Sequence, residues 1–235
     1  MFRRLFLHPH RRLAFPRPPT ATAAANARFL TTSLPTICPA CSAPLPTPLP
    51  ACPKCAHISP LPDDTSYYTL FRLPSPSPDN PAFNLDTKIL KQYFLNAQRI
   101  CHPDNWSVKG DKAQSIAASQ SSMLNKAYTT LLSPLKRAEY LLSLQGITMA
   151  ETDKLDHQDQ EFILEILDAR EELEEATTEA EVEDIRARNQ ERIDATIRAL
   201  QDAFEKRDWV RAKSECVRLR YWNGIESASK GEVDH

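Results

Sequence analysis

Glycine is nearly missing from this chain, and so is proline beyond its first half: four glycines occur in 235 residues, and of nineteen prolines only Pro134 follows Pro103. The back of the chain therefore holds few residues that would break a helix, whereas the front is rich in them. No apolar run reaches the roughly 18 residues needed to cross a bilayer, so no membrane-spanning helix is expected. Acidic residues are missing from residues 1–62, which carry seven basic ones, while residues 151–205 hold nineteen acidic and six basic. The net charge of −2 conceals this segregation. The long acidic stretch would repel phosphate, which removes the general charge argument for nucleic-acid binding. What remains is a chain long and apolar enough, at 41%, for one or two domains with a core.

Residues 1–35 read as a leader. Arg3, Arg4, Arg11, Arg12, Arg17 and Arg28 stand among alanine, threonine and proline with no acid between them, which is the composition of a mitochondrial transit peptide. Cleavage near Arg28-Phe29-Leu30 or Thr31-Thr32-Ser33 is expected, with a soluble mature protein in the mitochondrial matrix. A disordered basic tail is the plainer account of the same residues.

Cys38-Pro39-Ala40-Cys41 is followed by ten residues and then Cys52-Pro53-Lys54-Cys55. Two residues between the cysteines of a pair let both sulfurs converge on one tetrahedral ion, so residues 36–60 are expected to form a small module on a structural zinc held by Cys38, Cys41, Cys52 and Cys55. With all four positions filled by protein, zinc catalysis is not expected. Disulfide or redox use of the thiols is the alternative, and a reducing compartment suits it poorly. The glycine often found after the second cysteine of such a knuckle is missing from both pairs, and His57 is expected to be a bystander. A knuckle that bound nucleic acid would need interleaved basic and aromatic residues here, and only Lys54 is present. The module has few apolar residues, so the metal should supply most of its folding energy.

The remainder is organised around Ile100-Cys101-His102-Pro103-Asp104-Asn105. Upstream, Leu90, Tyr93, Phe94, Ala97 and Ile100 recur at spacings of three and four on one face of a helix, with Lys88, Lys91 and Arg99 among the other positions. Pro103 disfavours helical geometry at His102, so the helix should end there and display His102, Pro103 and Asp104 on a connection. Downstream, Asp111 with Gln114 can cap a second helix, whose apolar face holds Ala113, Ile116, Ala117, Leu124, Ala127, Tyr128 and Leu131. Asp63 or Asp64 can cap a short helix near Ser66–Leu73. Ser133-Pro134 opens a further helix carrying Leu135, Ala138, Leu141 and Leu142, and Gly146 stops it. His102, Asp104 and Cys101 could suggest catalysis, but no third group or oxyanion loop accompanies them, and an enzyme is not expected.

In this order, Tyr67-Tyr68-Thr69-Leu70-Phe71-Arg72-Leu73-Pro74, the His-Pro-Asp triplet, Leu124-Asn125-Lys126-Ala127-Tyr128 and Arg137-Ala138-Glu139-Tyr140-Leu141-Leu142-Ser143-Leu144-Gln145-Gly146 resemble a J-domain of the HscB type. The resemblance spans about residues 64–226. It implies an all-α fold: a J-domain over residues 64–146, a linker over 147–157, an antiparallel three-helix bundle over 158–228 and a short tail over 229–235. Pro74-Ser75-Pro76-Ser77-Pro78 makes the first J-domain connection longer than the compact bacterial pattern. Animal members of the family carry a similar four-cysteine module.

The resemblance also implies partners. His102, Pro103 and Asp104, with Lys88, Lys91 and Arg99, would engage a 70-kilodalton heat-shock chaperone and stimulate its ATPase. In the bundle, a strip on the first helix falls on Ile163, Leu164, Leu167, Asp168 and Glu171, with Tyr221 from the last helix. In that family such a strip docks the iron-sulfur cluster scaffold protein. Leu164, Leu167 and Glu171 have the spacing of one exposed ridge, although core packing is a rival use for Ile163 and for Trp222. A general protein-folding J-protein with another client is the alternative function. Neither nucleic acid nor membrane is expected as a partner. Cys101 and Cys216 fit burial as small apolar side chains.

Overall fold

Local capping sets the helix boundaries in the computed structural model, which describes residues 34–77, 82–150 and 160–231. The expected leader, almost all of it, and most of the linker and tail lie outside the described residues. Helix α1, Tyr67–Leu70, starts where the Ser66 hydroxyl accepts the Tyr68 N–H at 3.2 Å; Ser66, not Asp63 or Asp64, is its cap. Asp86 opens α2, Thr87–Cys101, by accepting from the N–H groups of Lys88 and Ile89 at 2.8 and 3.2 Å. Helix α3, Asp111–Leu132, begins after Gly110, whose φ of 94° and ψ of 157° fall in a region open essentially to glycine alone. Asp111 sits inside the first turn and makes no cap bond, contrary to the capping box expected there. Ser133 caps α4, Pro134–Leu144, with Pro134 in its first turn. Gly146, at φ 76°, ends it, and Ile147 donates back to the Leu142 carbonyl at 3.0 Å.

The back half is three helices: α5, Gln160–Glu175; α6, Glu179–Lys206; and α7, Trp209–Ser229. Thr178 and Glu181 form a reciprocal capping box at the start of α6. The pairings Glu165 with Arg192, Glu172 with Arg188 and Asn189 with the Trp222 carbonyl fix antiparallel neighbours. Ile185, Ile193, Leu200, Phe204, Cys216, Leu219, Trp222 and Ile225 are buried. Burying each such side chain is worth about 1.5–3 kcal/mol.

Hairpin and bundle share one continuous core. In the hairpin, Leu90, Ala97 and Cys101 of α2 meet Ala117, Leu124 and Leu131 of α3, and Phe94 stacks on Tyr128 with centroids 4.2 Å apart. Between hairpin and bundle, Phe83 stacks on Phe204 at 5.0 Å, and the Arg137 guanidinium covers the ring from 5.0 Å. Arg137 donates to the Leu131 carbonyl at 2.8 Å, and burial lowers its pKa from the ordinary value. Arg220 of α7 meets Glu139 of α4 at 3.0 Å. Bundle and hairpin are thus joined by packing as well as by the chain between them. Among the described residues no helix is long and apolar enough to cross a membrane.

Candidate functional site

Three places on this frame carry the expected chemistry. The first is the four-cysteine cluster. Each pair turns the same way: Ser42 N–H donates to the Cys38 carbonyl at 2.9 Å, and Ala56 N–H to the Cys52 carbonyl at 3.0 Å. Short bridges, Ile37 to Pro44 and Ala51 to Ile58, close the two turns. Ser42 and Ala56 follow the second cysteine of each pair and take φ of 55° and 57°. The left-handed geometry that usually calls for glycine is therefore present, held by residues with a Cβ.

The four sulfurs lie within 4.8 Å of one another, with Cys38 to Cys55 at 3.6 Å and Cys41 to Cys52 at 3.7 Å. A tetrahedron with metal–sulfur bonds of about 2.3 Å has edges of about 3.8 Å, so the donor set fits a metal ion. The backbone N–H of Cys55, against the opposing effect of burial, draws the Cys52 thiol down to about 7. The His57 N–H acts on Cys55 in the same direction, but the crowding sulfur of Cys41 and burial outweigh it and push Cys55 up to about 12. A bound cation would hold both as thiolates. His57 lies outside the cluster, its Nε2 3.0 Å from the Ser59 hydroxyl.

The second place is the hairpin tip. His102 has extended geometry, and a 3₁₀ segment, Pro103–Lys109, follows it in place of an irregular loop. His102 Nδ1 lies 3.4 Å from the Asp104 N–H and 3.6 Å from its carboxylate. One nitrogen cannot accept and be protonated together; its place as the cap of the 3₁₀ segment favours the acceptor, leaving the carboxylate, 85% exposed, turned to solvent. Two residues outside the His-Pro-Asp triplet hold the tip: Asn105 donates to the Arg99 carbonyl at 2.9 Å, and the Trp106 indole, buried, donates to the Ile100 carbonyl at 2.9 Å. Both satisfy carbonyls that α2 leaves open at its end. A tryptophan within such a polar loop was the available signal, since a ring that size is rarely left in water. Lys88, Lys91 and Arg99 are all exposed on α2. Tyr93 is not core-facing as its spacing suggests: it is 39% exposed, on the flank of α2.

The third is α5. Its inner side buries Phe162, Ile166 and Ala169, while Ile163, Leu164 and Leu167 face solvent, the last two at 61% and 55%. Asp168 and Glu171 follow on the same face, also exposed. Ion pairs of Glu165 with Arg192 at 3.0 Å and of Glu172 with Arg188 at 2.8 Å pin the helix to α6. Tyr221 is half-buried, its ring edge-on to Phe162 at 6.3 Å, beside the first turn of α5. Trp222 is core, edge-on to Phe162 at 5.2 Å. Cys101 and Cys216 are both fully buried, and burial raises their thiols to about 11 and about 12.

A helical hairpin with His-Pro-Asp at its tip, packed on a three-helix bundle, defines a J-type co-chaperone. A family model described as the HSCB C-terminal oligomerisation domain matches residues 158–230. The human iron-sulfur cluster co-chaperone protein HscB is 34% identical over 185 residues, 76% of this chain and 73% of its own. The mitochondrial J-type co-chaperone jac1 of Schizosaccharomyces pombe is 35% identical over 164 residues, 68% of this chain and 71% of its own. The crystal structure of human HscB superposes with a TM-score of 0.69 at 30% identity, covering 83% of this chain and 98% of that one. HscB from Vibrio cholerae gives 0.62 at 31%, covering 71% and 96%. The chain belongs to the HscB family.

Proposed function

We propose that this protein is a mitochondrial matrix co-chaperone of iron-sulfur cluster assembly, without enzymatic activity of its own. It binds the cluster scaffold protein on α5, brings it to a 70-kilodalton heat-shock chaperone as client, and stimulates that chaperone's ATPase so that the cluster passes to recipients. The observation that carries the reading is the solvent-facing ridge of Ile163, Leu164 and Leu167, continued toward the C-terminus by Asp168 and Glu171, on a helix whose other side is already committed to the bundle. Apolar side chains of that size gain only by covering, and the flanking carboxylates select a partner with basic groups. Tyr221, edge-on to Phe162 of the same helix, adds an aromatic from α7. At the tip of the hairpin, His102, Pro103 and Asp104 present a rigid polar shape, and the Asp104 carboxylate accepts a charge-assisted hydrogen bond from a chaperone arginine. Lys88, Lys91 and Arg99 add steering for an acidic chaperone surface. Cys38, Cys41, Cys52 and Cys55 hold a structural zinc.

The test is a titration of the full-length protein against the mitochondrial iron-sulfur scaffold, comparing wild type with the triple variant Leu164→Ala/Leu167→Ala/Tyr221→Ala. An affinity loss of about 100-fold or more with unchanged circular dichroism is expected, since truncated anchor residues each cost about 1–2 kcal/mol or more. Absence of binding by wild type would favour a general protein-folding J-protein.

A further inference from the structure

The tip that carries His102, Pro103 and Asp104 is built up from α3 through a series of side-chain bonds. Gln120 of α3, buried, donates its amide to the Ser59 carbonyl of the metal module at 2.7 Å. Its neighbour Ser121 donates to the Gln98 side chain of α2 at 2.9 Å, and the Gln98 amide reaches the Asn125 side chain at 2.7 Å. The last turn of α2 is thereby held against α3. From that turn the Arg99 and Ile100 carbonyls are left open by the helix, and Asn105 and Trp106 occupy them with bonds of 2.9 Å each.

Within the tip, the backbone of Asp104 is held on both sides. His102 Nδ1 faces its N–H at 3.4 Å, and the Ser107 hydroxyl donates to its carbonyl at 2.9 Å. The Asn105 N–H closes the turn onto the His102 carbonyl at 3.0 Å. The Asp104 carboxylate is what this framework presents to solvent. Asn105 and Trp106 carry the framework in different ways. Trp106 is 4% exposed, so without the Ile100 carbonyl its indole N–H would be buried with no partner. Asn105 is exposed, and the carbonyl it occupies belongs to the residue whose guanidinium stands in the basic stripe of α2. That one bond ties the strand of the tip bearing the carboxylate to the backbone bearing the Arg99 cation.

We infer that Asn105 and Trp106 are positioning residues for stimulation of the chaperone: by tying the tip to the final carbonyls of α2, they hold the Asp104 carboxylate in register with the cations of that helix. This rests on the chaperone reading above. Lys88, Lys91 and Arg99 dock by charge, and they stay on α2 whatever the tip does. Stimulation needs the carboxylate in place as well. A tip released from α2 would leave the complex formed but productively engaged for only part of the time. The stripe thus governs how readily the chaperone is bound, and Asn105 with Trp106 governs how fast the bound chaperone turns over.

The experiment measures ATPase stimulation of the mitochondrial 70-kilodalton chaperone across a concentration series of full-length protein. Trp106→Phe keeps a buried ring and removes the N–H; Asn105→Ala removes the other donor at an exposed position, where folding does not depend on it. Each should lower maximal stimulation about 2- to 10-fold, the net worth of one hydrogen bond, at an unchanged half-saturating concentration. In the free protein, the Asp104 and Asn105 amides should exchange with water faster in both variants, read by NMR, while those of Leu124 and Leu131 keep their protection. A purely structural role would instead shrink the folded fraction, which raises the apparent half-saturating concentration and leaves the plateau alone; that pattern would overturn the inference. His102→Gln is the control for the underlying reading and should abolish stimulation at every concentration. Wild-type plateaus in both variants, with stimulation lost in His102→Gln, would overturn the positioning role and leave the chaperone reading standing. No stimulation by wild type would overturn both.

Discussion

The four-cysteine module and the three-helix bundle are held by opposite means. Around the cysteines the local core amounts to Cys38, Leu45 and Cys52, with Cys41 and Ala43 at its margin, and backbone strain is accepted at Ser42 and Ala56. The bundle has buried leucines, isoleucines and aromatics along three helices, with Thr178 and Glu181 capping α6 as local propensity would have it. Where apolar area is scarce, stability is concentrated in one point; where it is ample, stability is spread over many contacts and no single one decides.

The contrast predicts a ranking of effects. Removing the metal with a chelator, or Cys52→Ser, should unfold residues 36–59 outright, since a structural ion of this kind contributes about 10 kcal/mol or more. Hydrogen exchange should show those amides losing protection while α6 and α7 keep theirs; equal loss in both would erase the contrast. Trp222→Ala should lower bundle stability by about 3–5 kcal/mol in urea denaturation, because the ring is buried against Phe162 and lies under Arg192. Metal content should not change. Smaller and opposite in sign are two local substitutions, one in a strained turn and one at a helix cap. Ala56→Gly should stabilise the metal-loaded module by up to about 1 kcal/mol by relieving its left-handed strain, whereas Thr178→Ala should weaken the bundle by about 1 kcal/mol by removing a cap. Thermal melts of each variant measure both.

The smallest effect is that of acid on the bundle. Backbone N–H groups of Thr177 and Thr178 hold the Glu181 carboxyl below its ordinary value of 4.5, and Lys206, with Arg211, holds Asp202 below 3.8. A carboxylate with a lowered folded pKa stabilises above its unfolded value and loses that contribution as pH falls through the folded one. The bundle should therefore weaken gradually below about pH 4.5. Thiolates reprotonate at higher pH, so acid should release the metal before the bundle melts, which a metallochromic indicator read beside circular dichroism would register.

How much of this could be read from the sequence follows the same division. The hairpin helices α2 and α3 lie where their periodicity places them, because a 3.6-residue repeat is a property of one segment. Cysteine spacing likewise brings the four sulfurs together, since each knuckle is local. Contacts between distant segments left no such trace. Tyr93 has the spacing of a core residue, but its flank of α2 borders a cavity beneath Pro46–Pro48. Phe83 sits in a polar-looking connection and proves to be the ring on which hairpin and bundle meet. Asp111 has the residue type and spacing of a cap, yet Gly110 turns the chain one residue earlier. On α5 the strip was placed by the family resemblance; the burial of Phe162, Ile166 and Ala169 against the bundle is what turns Ile163, Leu164 and Leu167 outward.

The bond from Gln120 to the Ser59 carbonyl spans 61 residues of chain. A polypeptide that emerges or is threaded N-terminus first exposes its cysteines long before α3 has been delivered. In that interval the module can close only on its metal, without the cover that α3 later provides. Ion capture then becomes the opening step of assembly, and docking of the J-domain the step that seals it.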